Sequence, residues 1–172
     1  MRYAAFLRAI NIGKNNRIRM EDLRSMCAGL GFGEVATYLQ TGNIRFEWEG
    51  TLEAARDLLE GALIERGLKN CSAMVWPVAE LEAFVATEPF VGSPADGNRQ
   101  YVTLYRGSLP AERLSLLREL PAPAAPADRI HCSASPAGTS TVDVMNSPVA
   151  RAIKVPGTVR YWHVFEAFLA NA

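Results

Sequence analysis

Apolar and polar positions fall into two rhythms, and the change of rhythm marks the elements. Tyr3 to Ile10 is a nearly continuous apolar run that reads as a strand. The polar stretch Asn11-Ile12-Gly13-Lys14-Asn15-Asn16-Arg17 follows as a loop. Met20, Leu23, Cys27 and Leu30 are then spaced 3, 4 and 3 apart, one face of a helix that Gly31 and Gly33 end. A strand over Val35–Gln40, a tight turn at Thr41-Gly42 and a strand over Asn43–Trp48 come next. In the last of these Ile44, Phe46 and Trp48 alternate with Asn43, Arg45 and Glu47, the pattern of a half-buried strand. Thr51 is placed to cap a helix with Glu53 in its first turn and Leu52, Ala55, Leu59, Ala62 and Leu63 as its buried stripe. Cys71–Val78 supplies a fourth strand. The order β-α-β-β-α-β is the split βαβ, or ferredoxin-like, arrangement.

The second half is less regular. A short helix over Ala79–Ala86 ends near Glu88-Pro89, and the Gly/Pro/Asp segment 91–98 is the predicted module boundary. Arg99–Arg106 reads as a strand. Ser108 is placed to cap a helix that has Pro110 in its first turn and is buried through Leu114 and Leu117. Residues 121–127 (PAPAAPA) read as a stiff extended connector. Arg129–Ser133 and Thr139–Met145 are predicted to form a hairpin turning near Pro136-Ala137-Gly138, with a further turn at Asn146-Ser147-Pro148. Residues 160–170 close the chain as a helix with Trp162, Phe165 and Leu169 on one face. The fold class predicted is α+β: two consecutive ferredoxin-like (α-β plait) modules with antiparallel sheets, the second irregular. The first spans 1–90 with a short linking helix, and the second spans 91–172.

Chain direction places the candidate chemistry. In a split βαβ sheet the loop after the first strand and the turn between the second and third strands lie at the same end. This gathers Asn11, Gly13, Lys14, Asn15, Asn16, Arg17, Gln40, Thr41 and Asn43 into one polar patch. The loop feeds a helix start, where free N–H groups and the positive end of the helix dipole favour an anion. Gly13 allows close backbone approach, and Lys14 and Arg17 add charge. The G-x-x-x-x-G-K-[ST] pattern of a P-loop is absent.

Charge changes this picture only locally. The 18 basic and 18 acidic residues balance, which argues against non-specific nucleic-acid binding. Residues 1–24 are basic, and residues 47–65 form an acidic helix. Three cysteines without a C-x-x-C pair, and two histidines without ligand spacing, predict no disulfide framework and no metal site. They fit a reducing, cytoplasmic compartment. No run reaches the ~20 apolar residues of a membrane span. Cys27 lies on a buried stripe, where thiols are inert. Ser147, His163 and Asp143 have no G-x-S-x-G elbow to support a triad. Phe46 and Trp48 share the buried parity of Ile44, so base stacking on the sheet face is not expected.

The first 48 residues resemble the family catalogued as domain of unknown function 1697. The resemblance is carried by Phe6-Leu7-Arg8, Ile10-Asn11-Ile12-Gly13-Lys14-Asn15-Asn16 and Met20-Glu21-Asp22-Leu23-Arg24. It continues through Leu30-Gly31-Phe32 and Tyr38-Leu39-Gln40-Thr41-Gly42-Asn43. Over the rest of the chain it is weaker. The family's closing Arg-Asn-Trp-Asn-Thr-Val segment corresponds to Arg160-Tyr161-Trp162-His163-Val164-Phe165, which keeps the Arg, the Trp and the final apolar position. Ala9 replaces a usual Gly. The resemblance implies two ferredoxin-like modules and supplies no function.

The leading expectation is therefore a protein that binds a small anionic or phosphate-bearing ligand, with no cofactor. Arg8, Arg160 and Trp162 join the loop and turn residues as candidate ligand contacts. Two other classes stand beside it. One is an enzyme on a small metabolite, with Arg8 and Asn11 orienting substrate in a cleft between modules. The other is an interaction scaffold or homodimer built on Tyr161, Trp162 and Phe165.

Overall fold

The computed structural model describes residues 1–12, 14, 16–90, 98–118 and 127–171. Contacts divide the chain into two units, Met1–Glu82 and Ala83–Asn171. The predicted boundary segment falls largely on 91–97, and the predicted connector largely on 121–126; both stretches lie outside the described residues.

The first unit runs β1 (Arg2–Arg8), α1 (Met20–Gly29), β2 (Gly33–Tyr38), β3 (Asn43–Glu47), α2 (Leu52–Glu65) and β4 (Ser72–Pro77), with α3 (Val78–Val85) following. Its sheet has the order β2-β3-β1-β4 with every pair antiparallel, the split βαβ order. Ala5 pairs with Ile44 on one side and Val75 on the other. This register turns Tyr3, Ala5, Leu7, Ile44, Phe46, Ala73 and Val75 into one core with Leu23, Cys27, Leu59 and Leu63 of the helices. A one-residue slip would send that whole set to the other face. Phe46 stacks on Phe32 with centroids 4.3 Å apart inside this core, so its ring is not a platform for bases. Thr51 caps α2 as its sequence position predicts, its hydroxyl accepting from the Ala54 N–H at 3.1 Å.

The second unit runs β5 (Arg99–Tyr105), α4 (Ala111–Arg118), β6 (Ile130–Ser135), α5 (Thr141–Met145), α6 (Pro148–Ile153), β7 (Gly157–Tyr161) and α7 (Trp162–Ala170). The sheet order is β6-β5-β7, again antiparallel. Helices α4 and α6 meet over Tyr105, Leu109, Leu117 and Ile153.

Three expectations for this half are corrected. Thr139–Met145 is not a strand. Ser140 accepts from the Asp143 N–H while the Asp143 carboxylate accepts from the Ser140 N–H, a capping box that outweighs the β-branched run Thr141-Val142. Ser108 does not cap α4; its hydroxyl donates to the Asp128 carboxylate. Residues 157–161 form a strand, so the helix expected over 160–170 starts instead at Trp162. Among the described residues no helix is long and apolar enough to cross a membrane.

Candidate functional site

Three connections of the first unit meet at one end of its sheet. Residues 9–19 leave β1, residues 39–42 join β2 to β3, and residues 66–71 join α2 to β4. The antiparallel registers Phe6↔Asn43 and Arg8↔Ser72 bring all three to the same edge. Two asparagines brace them. The Asn11 side-chain amide donates to the Gln40 carbonyl at 2.9 Å and to the Ile18 carbonyl at 3.0 Å, and its oxygen accepts from the Ile18 N–H at 2.9 Å. The Asn16 amide donates to the Ala9 carbonyl at 2.8 Å and the Lys69 carbonyl at 2.7 Å, while its oxygen accepts from the Lys69 N–H at 2.9 Å. Asn11 thus ties the first loop to the turn, and Asn16 ties it to the third connection. Asn43, almost fully buried, closes the turn by donating to the Tyr38 carbonyl at 3.1 Å and the Thr41 hydroxyl at 3.0 Å.

The predicted gathering of loop and turn is therefore present, but the amides face inward. Lys14, Arg17, Gln40 and Thr41 are exposed and Arg8 is half-buried. Gly13 and Asn15 lie outside the described residues. The start of α1 differs from the sequence picture as well. Glu21 and Asp22 sit in its first turn, and Arg19 forms an ion pair with Asp22 at 2.9 Å that holds this carboxyl low, chiefly through their hydrogen bond. Those carboxylates already answer the helix dipole, so any anion at this end depends on side-chain cations.

The bracing demands an unusual backbone. Ala9, Asn11, Asn16, Leu39 and Asn70 all have positive φ, 63°, 52°, 53°, 56° and 56°. Asparagine tolerates this region; alanine pays for it with roughly 1 kcal/mol. Ala9→Gly is therefore expected to stabilise the first unit by about 0.5–1 kcal/mol. Chemical denaturation measures this directly, and a destabilised variant would show that the Ala9 conformation is unstrained.

Arg160 and Trp162 belong to the second unit. Arg160 is buried on β7, where its guanidinium donates to the Thr158 hydroxyl at 2.7 Å and the Val159 carbonyl at 3.0 Å. Burial pulls its pKa down to about 10, which leaves it charged at neutral pH. Trp162 is buried among Phe84, Phe90 and Phe165, with ring centroids 6.2, 5.1 and 5.5 Å away. Trp162 and Phe165, together with Phe168 and Leu169, are the buried residues of α7.

Other reactive groups are accounted for locally. Burial pushes the Cys27 thiol up to about 12. Ser147 caps α6 by accepting from the Ala150 N–H, Asp143 is held in its capping box, and His163 stacks on Tyr161. Among the described residues no three His, Cys, Asp or Glu side chains group as a metal site.

The sequence reading left out the third connection, with Lys69, Asn70 and Cys71. A signal for it was present: if β3 descends, α2 must rise, and the connection 66–71 must lie beside the first loop. Arg99, Tyr161 and His163 line a groove in the second unit that the sequence pattern does not reveal, because β7 carries no strand signal of its own.

A search of curated proteins finds no match. Among solved structures, the fold is similar to that of the conserved bacterial protein SP0830 from Streptococcus pneumoniae, with a TM-score of 0.68 and 21% identity over 98% of this chain and 97% of that one. At that identity the likeness concerns the fold alone. The family model described as "Protein of unknown function (DUF1697)" matches residues 1–134, which include the loop, the turn, both bracing asparagines and Lys69. The chain belongs to the DUF1697 family of proteins of unknown function.

Proposed function

We propose that the chain binds a small anion or phosphate-bearing molecule at the braced end of its first unit. One observation carries the reading. The connections there, with the β1 terminus, hold Arg8, Lys14, Arg17, Arg19, Arg66 and Lys69, and residues 8–19, 39–42 and 66–71 contain no Asp or Glu. Arg19 pairs with Asp22, and Arg66 also lies close enough to lower that carboxyl, so the excess of positive charge is partly answered at the start of α1. Converging cations of one sign raise the local concentration of anions. The asparagine braces support the reading in a second way: a loop held in place before binding loses little entropy on binding. Recognition would then rest on cations rather than on the inward-facing amides. The three free thiols, none in a disulfide, support a reducing compartment such as the cytoplasm.

A thermal-shift screen with pyrophosphate, sugar phosphates and simple anions tests this. A ligand at ~100 times its dissociation constant adds roughly 2.7 kcal/mol, which raises the midpoint by roughly 5–10 °C. The Lys14→Ala/Arg17→Ala double variant should fold normally and bind at least about tenfold more weakly. Equal affinity in the double variant would remove the site from this end of the molecule.

A further inference from the structure

The second unit carries a groove of about 500 Å³ lined by Asn98, Arg99, Gln100, Tyr161 and His163. That is the size range of small-ligand sites. Tyr161 is its hub. The Arg99 guanidinium lies over the Tyr161 ring at 5.6 Å and donates to its hydroxyl at 3.3 Å. The His163 imidazole stacks on the same ring at 5.7 Å with an interplanar angle of 18°, and Tyr101 tilts against it at 5.4 Å. Tyr101 is itself buried and anchored, its hydroxyl donating to the Thr139 carbonyl at 2.7 Å. A fixed ring thus supports two planar groups, Arg99 and His163, that are both exposed.

We propose that this groove binds a purine mononucleotide or a similar flat aromatic anion. The flat part of the ligand extends the stack on the exposed imidazole and guanidinium, where base–aromatic and cation–π contacts are both favourable. The charged part is met by Arg99, since the lining among the described residues contains a guanidinium and no carboxylate. Helix α7 begins at Trp162, beside the groove, with no acidic residue in its first turn, so its positive end adds to Arg99 rather than opposing it. Asn98 and Gln100 supply amide donors and acceptors for the edge of a base. This site is independent of the one proposed for the first unit.

The chain has two histidines, His131 buried and His163 exposed, so its imidazole NMR signals separate the groove from the interior. The titration uses the full chain carrying Lys14→Ala/Arg17→Ala, so that anion binding proposed at the first unit is weakened. AMP is expected to move the His163 Cε1 proton upfield through ring current and to saturate. His131 stays still. Ribose 5-phosphate, which has the charge without the ring, should leave His163 in place, and adenosine should bind about tenfold more weakly than AMP. Arg99→Gln should weaken AMP binding about tenfold. An unmoved His163 at millimolar AMP overturns the proposal. So does an equal response to ribose 5-phosphate, or undiminished affinity in Arg99→Gln.

Discussion

Replacing Gly42 with alanine is expected to destabilise the first unit by about 3 kcal/mol, the sum of two separate costs. Gly42 has φ +76°, where an alanine pays roughly 1–2 kcal/mol. The second cost is steric. A Cβ there would stand 2.5 Å from Ile10 Cδ1 and 2.8 Å from Leu7 Cβ. Leu7 cannot retreat easily, because its N–H donates to the Gly42 carbonyl at 2.8 Å and its side chain is in the core. Overpacking of that kind costs about 1–3 kcal/mol. Gly67 separates the two terms: its φ is +82° and nothing lies within 4 Å of its would-be Cβ. Gly67→Ala should therefore lose only the backbone term, about 1 kcal/mol. Urea unfolding of both variants decides it. If Gly42→Ala costs no more than Gly67→Ala, the turn does not pack on β1 as described. The result bears on the candidate site, since the same turn receives the Asn11 amide through the Gln40 carbonyl.

His131 should make the protein acid-sensitive over a defined window. It lies on β6 opposite Thr103, is 6% exposed, and neither ring nitrogen has a hydrogen-bond partner among the described residues. Burial pulls its pKa from the ordinary 6.5 to about 4. The folded state thus holds the neutral ring, while the unfolded chain takes up a proton first as pH falls. Stability is full above pH 6.5 and declines as pH drops towards 4, by about 2–3 kcal/mol from this residue. His131→Leu removes both the titration and the two unpaired nitrogens. It should match or exceed the parent at pH 7 and lose less on acidification. Denaturant unfolding at pH 7 and pH 4.5 on both proteins gives the difference, in which the carboxylates common to both cancel. Identical losses would mean that the ring is solvated or paired in the folded chain.

Much of the first unit was legible because its signals are local and agree. The 3-4-3 spacing of α1, the alternation of β3 and the Thr51 cap each specify one element without help from distant residues. Their order then implied which loops share an end. The second unit was less legible for the opposite reason. Strand β7 is five residues long and carries Thr158 and Arg160 among its buried positions, so its own sequence has no apolar alternation. It is a strand because Tyr101–Tyr105 pairs with it, more than fifty positions earlier in the chain. The Thr139–Met145 run was misread because β-branched residues suggest a strand, whereas two reciprocal hydrogen bonds between Ser140 and Asp143 start a helix.

The candidate site divides in the same way. The amino-acid sequence by itself determined the α+β class, the family, the element order of the first unit, and the clustering of cations near the first loop. Only the tertiary structure decided what the polar side chains there do. An asparagine in a loop has the same local sequence whether its amide meets a ligand or a carbonyl. Asn11, Asn16 and Asn43 face inward because folding brings Gln40, Lys69 and Tyr38 backbone groups within 3.1 Å of them. The asparagine amides meet these backbone groups only once the three loops come together, a meeting that no local sequence specifies.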